Sequence, residues 1–425
     1  MIRSCELGFK ADCGDMPESV IKSLISEHLN MCVRYNRLDD YYKGKHDVFF
    51  RPDSYDGRPN NKIMHNYAKY IVVMSVGYLL GDRVKYTSDF DISEIMKRYK
   101  LAGFSDCDEE IAKDISVFGR GFEILYLDDA DLVVKSYVVD PRNIFTVYSD
   151  TPKREKLFSV YYYPHITEEG KENGYVANIY TKSNIYEYRA KNLLGPYERV
   201  SVNRHFFKCV PVVEYLNNEE ASSDFQDVLT LIDAYNLLQS DRLNDVERFV
   251  QSILFLKNFS LDQADVKLLK EKRILQANGP SDVDAKWLSH ALDQSGVEII
   301  RKTIESDIHK FSFVPAITDE NFSGNASGVA MKYKLIGLSQ MNKIKKRYME
   351  RGLRERLFLC LDLPNFKPNI SAHDINIEFT HSLPVNDLET AKMVSELSGI
   401  VKNETLIRQL SFVRDAKEEA VSTKT

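Results

Sequence analysis

Apolar residues recur at helical spacing over residues 17–43. Ile21, Leu24, Ile25, Leu29, Met31 and Cys32 fall toward one side, and Gly44 closes the pattern. A Pro-, Gly- and Asn-rich loop, RPDSYDGRPNNK, follows. The next helix, about Asn66 to Leu80, is apolar on nearly every face, which predicts burial, and the GDRV after it supplies a glycine stop. Residues 92–117 read as helix again.

The period then changes from 3.6 to 2. GFEILYLDD, LVVKSYVV, NIFTVYSD, LFSVYYYP, YVANIYTKSNIYEYR and PVVEYL are short, aromatic and β-branched, with turn residues between them. This predicts a meander of antiparallel strands over 121–216.

From Ser222 to Leu254 the spacing is helical, with Ser222 or Ser223 as the cap and Asp224 in the first turn. Phe225, Val228, Leu229, Ile232, Tyr235, Leu238, Val246, Phe249, Val250 and Ile253 form one stripe. At 1.5 Å per residue the helix runs about 45 Å, longer than a compact domain of that size needs. In the insert 255–292, KRILQANGPSDVDAKWLSH predicts two short strands around a Gly-Pro turn, with Trp287 anchoring a small core. Residues 295–311 are helical and Pro315 stops them. The helix–insert–helix order predicts an antiparallel pair with a small module at its tip.

A small-residue loop, NFSGNASG, leads into a long helical pattern over 328–359. INIEFTHSLP then alternates, with Ile375, Ile377 and Phe379 on one face of a strand. Asn386 with Glu389 makes a capping-box start for one closing helix. Asn403 caps another, which runs through Leu406, Ile407 and Leu410.

Length and charge narrow the picture. A chain of 425 residues implies two or three domains. The net charge of −6 excludes a protein that binds polyanions with its whole surface, so any nucleic-acid contact must be local. No apolar run approaches the roughly 20 residues of a membrane span, and the N-terminus has no signal-peptide core. The six cysteines are scattered and form no CxxC, which predicts free, packed thiols and argues against zinc.

Catalytic motifs are missing from the sequence. FSGNASG has glycines at 324 and 328 but no following Lys-Ser/Thr pair, so it is not a P-loop. No G-x-G-x-x-G, G-x-S-x-G or H-E-x-x-H occurs. His46 and His65 near Asp47, Asp53 and Asp56 could ligate a metal; loop residues that cap and bridge are the expected alternative. The acidic GFSDCDEEIAKD lacks calcium-loop spacing and is expected to be a solvated helix start. No catalytic, cofactor-binding or metal residue is nominated.

The segment 328–359 stands apart. It carries Lys332, Lys334, Lys343, Lys345, Lys346, Arg347, Arg351, Arg354 and Arg356 against Glu350 and Glu355; nine minus two is +7. Such segregation points to phosphate contacts, with Lys332, Lys334, Lys343 and Lys346 as candidates. A solvated helix pairing with acidic neighbours gives the same pattern, and the segment alone does not decide.

Three stretches together resemble the portal proteins of tailed bacteriophages, of the siphovirus type. They are NNKIMHNYAKYIVVMSVGYLLGDRVKY, SDFQDVLTLIDAYNLLQSDRLNDVERF and NFSGNASGVAMKYKLIGL. The closing GIVKNETLIRQLSFVRDAKEE is similar to the start of that family's C-terminal segment. The resemblance implies an α+β portal fold. Its parts would be a wing (1–221, with a wing strand in 364–385), two stem helices (222–254 and 293–314) and a clip (255–292). A tunnel loop (315–328), a long channel-proximal helix (329–363) and a helical crown (386–425) would complete it. It places Asn321, Phe322, Ser323, Gly324, Asn325, Ala326 and Ser327 at a DNA channel. It implies a ring, typically dodecameric, at one vertex of the virion capsid. Double-stranded DNA would be packaged and ejected through that ring without sequence reading. The implied partners are the terminase large subunit, a head–tail adaptor, and the major capsid and scaffolding proteins, met in the host cytoplasm during assembly. No cofactor and no membrane are implied. Two other classes remain beside this one: a nucleic-acid-processing enzyme (nuclease or packaging ATPase) using the basic helix 328–359, and a capsid-associated structural protein without a channel.

Overall fold

A computed structural model describes residues 2–3, 16–53, 59–128, 132–250, 253–257, 284–288, 294–317, 333–362, 366, 368–380, 387–401, 403–407 and 413. Two compact units emerge. One comprises Met1–Lys43, Asn66–Val228 and His309–Thr425; the other comprises Gly44–His65 and Leu229–Ile308.

In the first unit, α1 (Glu18–Tyr42) starts after Pro17, whose fixed φ suits a helix entry. Its buried Ile21, Leu24 and Ile25 pack on Phe145, Val147, Phe158 and Val160 of a six-stranded sheet. The sheet contains β1 (Ile2–Arg3), β5 (Ile144–Tyr148), β6 (Lys156–Ile166), β7 (Glu172–Tyr180), β8 (Asn184–Ala190) and β9 (Glu198–Arg204). The order is β1-β5-β6-β7-β8-β9, with only the β1–β5 pair parallel.

The expected single meander is in fact split between two sheets. A second, three-stranded sheet takes β3 (Arg120–Leu127), β4 (Val134–Val139) and β10 (Val212–Leu216), in the order β10-β3-β4. The reason lies in β3, where five successive residues from Gly121 to Leu125 are buried. A strand covered on both faces needs a layer on each side. One side receives Ile144 and Tyr180 of the larger sheet; the other receives helices.

Those helices are α2 (Tyr67–Leu79), α3 (Ser93–Ala102), α4 (Phe104–Phe118) and α7 (Ile336–Leu361). Asn66 caps α2, its side chain accepting from the Lys69 amide at 2.9 Å. The predicted helix 92–117 is two helices, because Gly103 adopts φ 72° between them. Burial of α2 is incomplete: Val73 is 54% exposed. β2 (Lys85–Thr87) pairs antiparallel with β13 (Asn376–Glu378), so the 375–380 segment rejoins this unit with Ile375, Ile377 and Phe379 buried as expected.

The second unit is built on α5 (Leu229–Val250) and α6 (Gln294–Phe311). Arg242 meets Glu298 at 2.9 Å, while Arg301 meets Tyr235 at 3.3 Å and Glu305 at 2.6 Å. Residues rising along α5 meet residues falling along α6, so the pair is antiparallel as expected. An extended strap lies on α5. The amides of Asn61, Ile63 and His65 donate to Asn244 Oδ1, Ser240 Oγ and Asn236 Oδ1 at 2.7, 2.9 and 2.8 Å. Two extended residues advance about 6.6 Å and one i, i+4 step of a helix about 6 Å, so the two ladders stay in register.

That strap settles the roles of the two histidines. His46 is fully buried and its Nδ1 accepts from Asn236 Nδ2 at 2.9 Å; His65 sets its ring edge-on to Tyr235. Asp53 pairs with Lys62 at 3.1 Å, and Asp47 opens a single 3-10 turn. Among the described residues no His, Cys, Asp or Glu cluster could hold a metal, and no helix is long and apolar enough to cross a membrane. Asp56 lies outside the described residues.

Two expectations around α5 need correction. The helix begins at Leu229, after a 3-10 turn at Gln226–Val228, and not at Ser222. Of the two expected caps, Ser223 is used elsewhere, its Oγ donating to the Ser116 carbonyl at 2.9 Å, and Asp224, expected in the first turn, accepts a lysine from α7. The helix also ends early. Ile253–Lys257 is a strand, β11, antiparallel to β12 (Asp284–Leu288), with Leu254 opposite Trp287. Asp284–Leu288 is one of the two strands expected in the insert, but its partner comes from the predicted helix end. The other expected strand, in 272–279, and the core expected around the Trp287 side chain lie outside the described residues.

Cys32, Cys107, Cys209 and Cys360 are free thiols, the first and last of them buried. Cys5 and Cys13 are outside the described residues. Near the C-terminus, α8 (Asp387–Glu396) and α9 (Asn403–Ile407) occupy the two predicted helical stretches. The Asn386–Glu389 capping box and Leu410 fall outside the described side chains.

Candidate functional site

The long basic helix α7 does not present one basic face. Leu338, Asn342, Lys345, Met349, Gly352, Leu353, Arg356 and Leu357 recur at three- and four-residue steps, and all are buried. Two of the nine cations therefore point into the protein.

Lys345 is 1% exposed. Its Nζ donates to Asp224 Oδ2 at 2.5 Å, Ser75 Oγ at 2.6 Å and Ser116 Oγ at 2.8 Å. All three hydrogens of the ammonium are thus taken, which is what a buried lysine needs to stay charged. Burial lowers its pKa and the Asp224 carboxylate opposes that shift. The contact ties α7 to α2, to α4 and to the segment just before α5.

Arg356 is fully buried. Nε donates to Glu123 Oε2 at 2.8 Å and Nη1 to Asp108 Oδ1 at 2.6 Å. The guanidinium lies 4.8 Å from the Phe104 ring centroid and 5.8 Å from that of Tyr215. Tyr215 Oη donates to Glu123 Oε2 at 2.7 Å, and Ser136 Oγ donates to Oε1 at 2.5 Å. Burial raises the Asp108 pKa, with Arg356 pulling it back. Asp108 was expected in a solvated helix start. Asp106, Glu109 and Glu110 are indeed exposed there, but Asp108 is 5% exposed because it faces Arg356.

The remaining cations divide. Arg354 donates to Glu350 at 3.0 Å and to the Ala372 and Ile375 carbonyls at 3.0 and 3.3 Å. Lys346 sits over the Phe379 ring at 5.4 Å. Lys334 is exposed at the start of the described segment. Lys343, Arg347 and Arg351 are exposed and have no hydrogen-bond or ion-pair partner among the described residues. The surplus of +7 is therefore an overcount of accessible charge. Three carboxylates remote in sequence (Asp108, Glu123 and Asp224) answer the two inward cations.

The four phosphate-contact candidates are not brought together as one set: Lys343 is exposed with no partner among the described residues, Lys346 is half-buried on an aromatic ring, and Lys332 lies outside the described residues. The channel-loop candidates Asn321, Phe322, Ser323, Gly324, Asn325, Ala326 and Ser327 lie outside them as well. The buried pairs were missed in the sequence, although the signal was present. Lys345 and Arg356 keep the helical phase of Leu338, Met349, Leu353 and Leu357.

Taken together, the two sheets, the antiparallel helix pair and a helix pinned by buried ion pairs define a mixed α+β protein whose internal charges hold elements in place. Residues 21–424 match the family described as Phage portal protein, SPP1 Gp6-like, and the chain belongs to that family. It is 25% identical over 433 residues to the portal protein of Bacillus phage SPP1, covering 94% of this chain and 84% of that one. It is 24% identical over 433 residues to the portal protein of Clostridium phage phiCD119, covering 94% and 93%. Among solved structures, a chain in the neck of an empty GTA particle computed with C6 symmetry aligns with a TM-score of 0.48 at 10% identity. That alignment covers 81% of this chain and 90% of that one.

Proposed function

We propose that this chain is the subunit of a ring, a dodecamer, at one vertex of a phage capsid, and that double-stranded DNA passes through the ring during packaging and ejection. The family match over residues 21–424 carries this reading. The order of elements supports it: a helix, a strand pair and an antiparallel helix, flanked by a sheet-rich unit. On this reading Leu229–Val250 and Gln294–Phe311 are the stem, the segment between them is the clip, and the two-sheet unit is the wing. Residues 315–328 form the tunnel loop and 386–425 the crown. Asn321 to Ser327 face the DNA, and Lys332 and Lys334 behind them make transient phosphate contacts.

The ring acts mechanically and is not itself an enzyme. The pumping ATPase is a separate terminase, and the clip and crown meet adaptor, capsid and scaffolding proteins. Assembly takes place in the host cytoplasm and the product sits in the virion. The alternative of a nucleic-acid enzyme working through the basic helix loses support, because Lys345 and Arg356 are buried in ion pairs.

Electron microscopy of the purified protein tests the proposal. Rings with a central pore are expected; a strict monomer at every concentration and salt defeats it. Replacing Asn325 or Ser327 with a bulky or charged residue should leave rings intact and reduce DNA packaging. Failure of those variants to assemble would instead make the loop an interface element.

A further inference from the structure

Among the described residues of the first unit two faces are uncovered, and their chemistries are complementary. One is a cleft of about 820 Å³ between α2 and α4. Its floor is apolar: Val72, Val73, Val76 and Leu80. Its rim carries Asp106, Glu109 and Glu110, all exposed; Asp106 and Glu109 have no hydrogen-bond or ion-pair partner among the described residues, while Glu110 is attracted by the Lys113 ammonium. Of the cations at the mouth, Lys113 is already paired with Asp114 at 3.3 Å, leaving Arg83. The other face is the outer side of α7. There Lys343, Arg347 and Arg351 have no hydrogen-bond or ion-pair partner among the described residues, and Ile344 and Phe358 are each 50% exposed.

The charges are opposite in sign. The three cations step by four residues and span about 12 Å of helix axis, while the three carboxylates gather within four residues, about 6 Å. The two faces nevertheless cannot meet within one chain. Ser75 of α2 touches Lys345 of α7, so these two positions mark where the helices lie back to back. Val73 and Gly77 lie two residues either side of Ser75, and Lys343 and Arg347 two residues either side of Lys345. Two residues turn a helix by about 200°, so the cleft and the cationic row look away from each other.

We propose that the acidic cleft of one copy receives the outer face of α7 from a second copy of this chain. Each copy then offers one donor and one acceptor surface, a head-to-tail contact that repeats around a closed ring. Apolar floor meets Ile344 and Phe358, and the acidic rim meets the cationic row. The proposal rests on the ring reading above and adds which surfaces make the contact.

A charge swap in the full chain tests it, with oligomer size followed by mass photometry across a concentration series. Arg347→Glu and Glu109→Arg should each raise the concentration for half-assembly at least tenfold, and the double variant should restore most of the loss. Both residues are exposed, so an unchanged thermal midpoint of the monomer separates lost assembly from misfolding. Wild-type-like assembly of either single variant, or a double variant no better than the singles, overturns the proposal. So does an Arg347→Glu ring that forms normally but retains less DNA, which would assign the row to phosphates. If the wild-type chain makes no oligomer at all, the ring reading itself fails, an outcome distinct from rings that ignore the swap.

Discussion

Two glycines inside helices should respond to alanine in opposite directions. Gly352 lies in α7 against β10. A Cβ built there would stand 2.3 Å from Tyr215 Cδ1 and 2.4 Å from Cε1, against the 3.5–4.0 Å of carbon contacts. Tyr215 cannot step aside cheaply, being fully buried with its hydroxyl on Glu123 and the Arg356 guanidinium over its ring. Overpacking of this kind costs about 1–3 kcal/mol, and disturbing the hydroxyl's bond to a buried carboxylate adds about 1–3 kcal/mol. Better helix propensity returns only about 1 kcal/mol. Gly352→Ala is therefore expected to destabilise by roughly 2–4 kcal/mol. At about 2 °C per kcal/mol for a unit of this size, the first thermal transition should fall by roughly 4–8 °C. Gly77 in α2 has nothing within 4 Å of its added Cβ, so Gly77→Ala should raise that transition slightly. Scanning calorimetry on both variants decides. A Gly352→Ala protein as stable as wild type would mean that α7 does not lie against Tyr215 at this distance.

Lys345→Met should cost about 3–5 kcal/mol by stranding Asp224 in the interior, and adding Asp224→Asn should recover much of it; denaturant titration showing equal stability for single and double variants would contradict the buried pair. His28 is buried between the Tyr162 hydroxyl at 2.9 Å and the Pro141 carbonyl at 3.1 Å, and burial lowers its pKa to about 4. Above pH 6.5 the ring is neutral both folded and unfolded. As pH falls from 6.5 toward 4 the unfolded chain takes the proton first, so up to about 3 kcal/mol of stability is lost across that window. His28→Gln should flatten that acid limb in pH-dependent melting, and an unchanged limb would reject the assignment. Ser240→Ala removes the acceptor of the Ile63 amide and should cost about 1–3 kcal/mol, read as faster hydrogen exchange at Ile63 while exchange in β6 and β7 is unchanged.

Periodicity alone located most helices and strands. The runs around Glu18–Tyr42, Tyr67–Leu79 and Gln294–Phe311 follow apolar repeats with local stops at Gly44, Gly81 and Pro315. It missed the split of the β-rich stretch into two sheets, because strand pairing is a long-range choice: β10 returns to β3 across the 84 residues between Leu127 and Val212. It also missed the true start of α5. Ser222 to Asp224 have cap chemistry, and nothing local shows that Ser116 and Lys345 compete for it.

The long basic helix separates what each level decided. By itself the sequence determined a helical pattern over 328–359, where the structure has a helix at Ile336–Leu361, a large excess of Lys and Arg in it, and, through long matching stretches, the look of a phage portal subunit. Charge counting is additive along a chain, so it could go no further. Only the tertiary structure decided which cations are available. It buried Lys345 against Asp224 and Arg356 against Asp108 and Glu123, partners between 121 and 248 residues away, and left Lys343, Arg347 and Arg351 outside. The physical reason is desolvation: a cation that enters the core must bring its counter-charge with it, and that counter-charge is supplied by the fold and not by sequence neighbours.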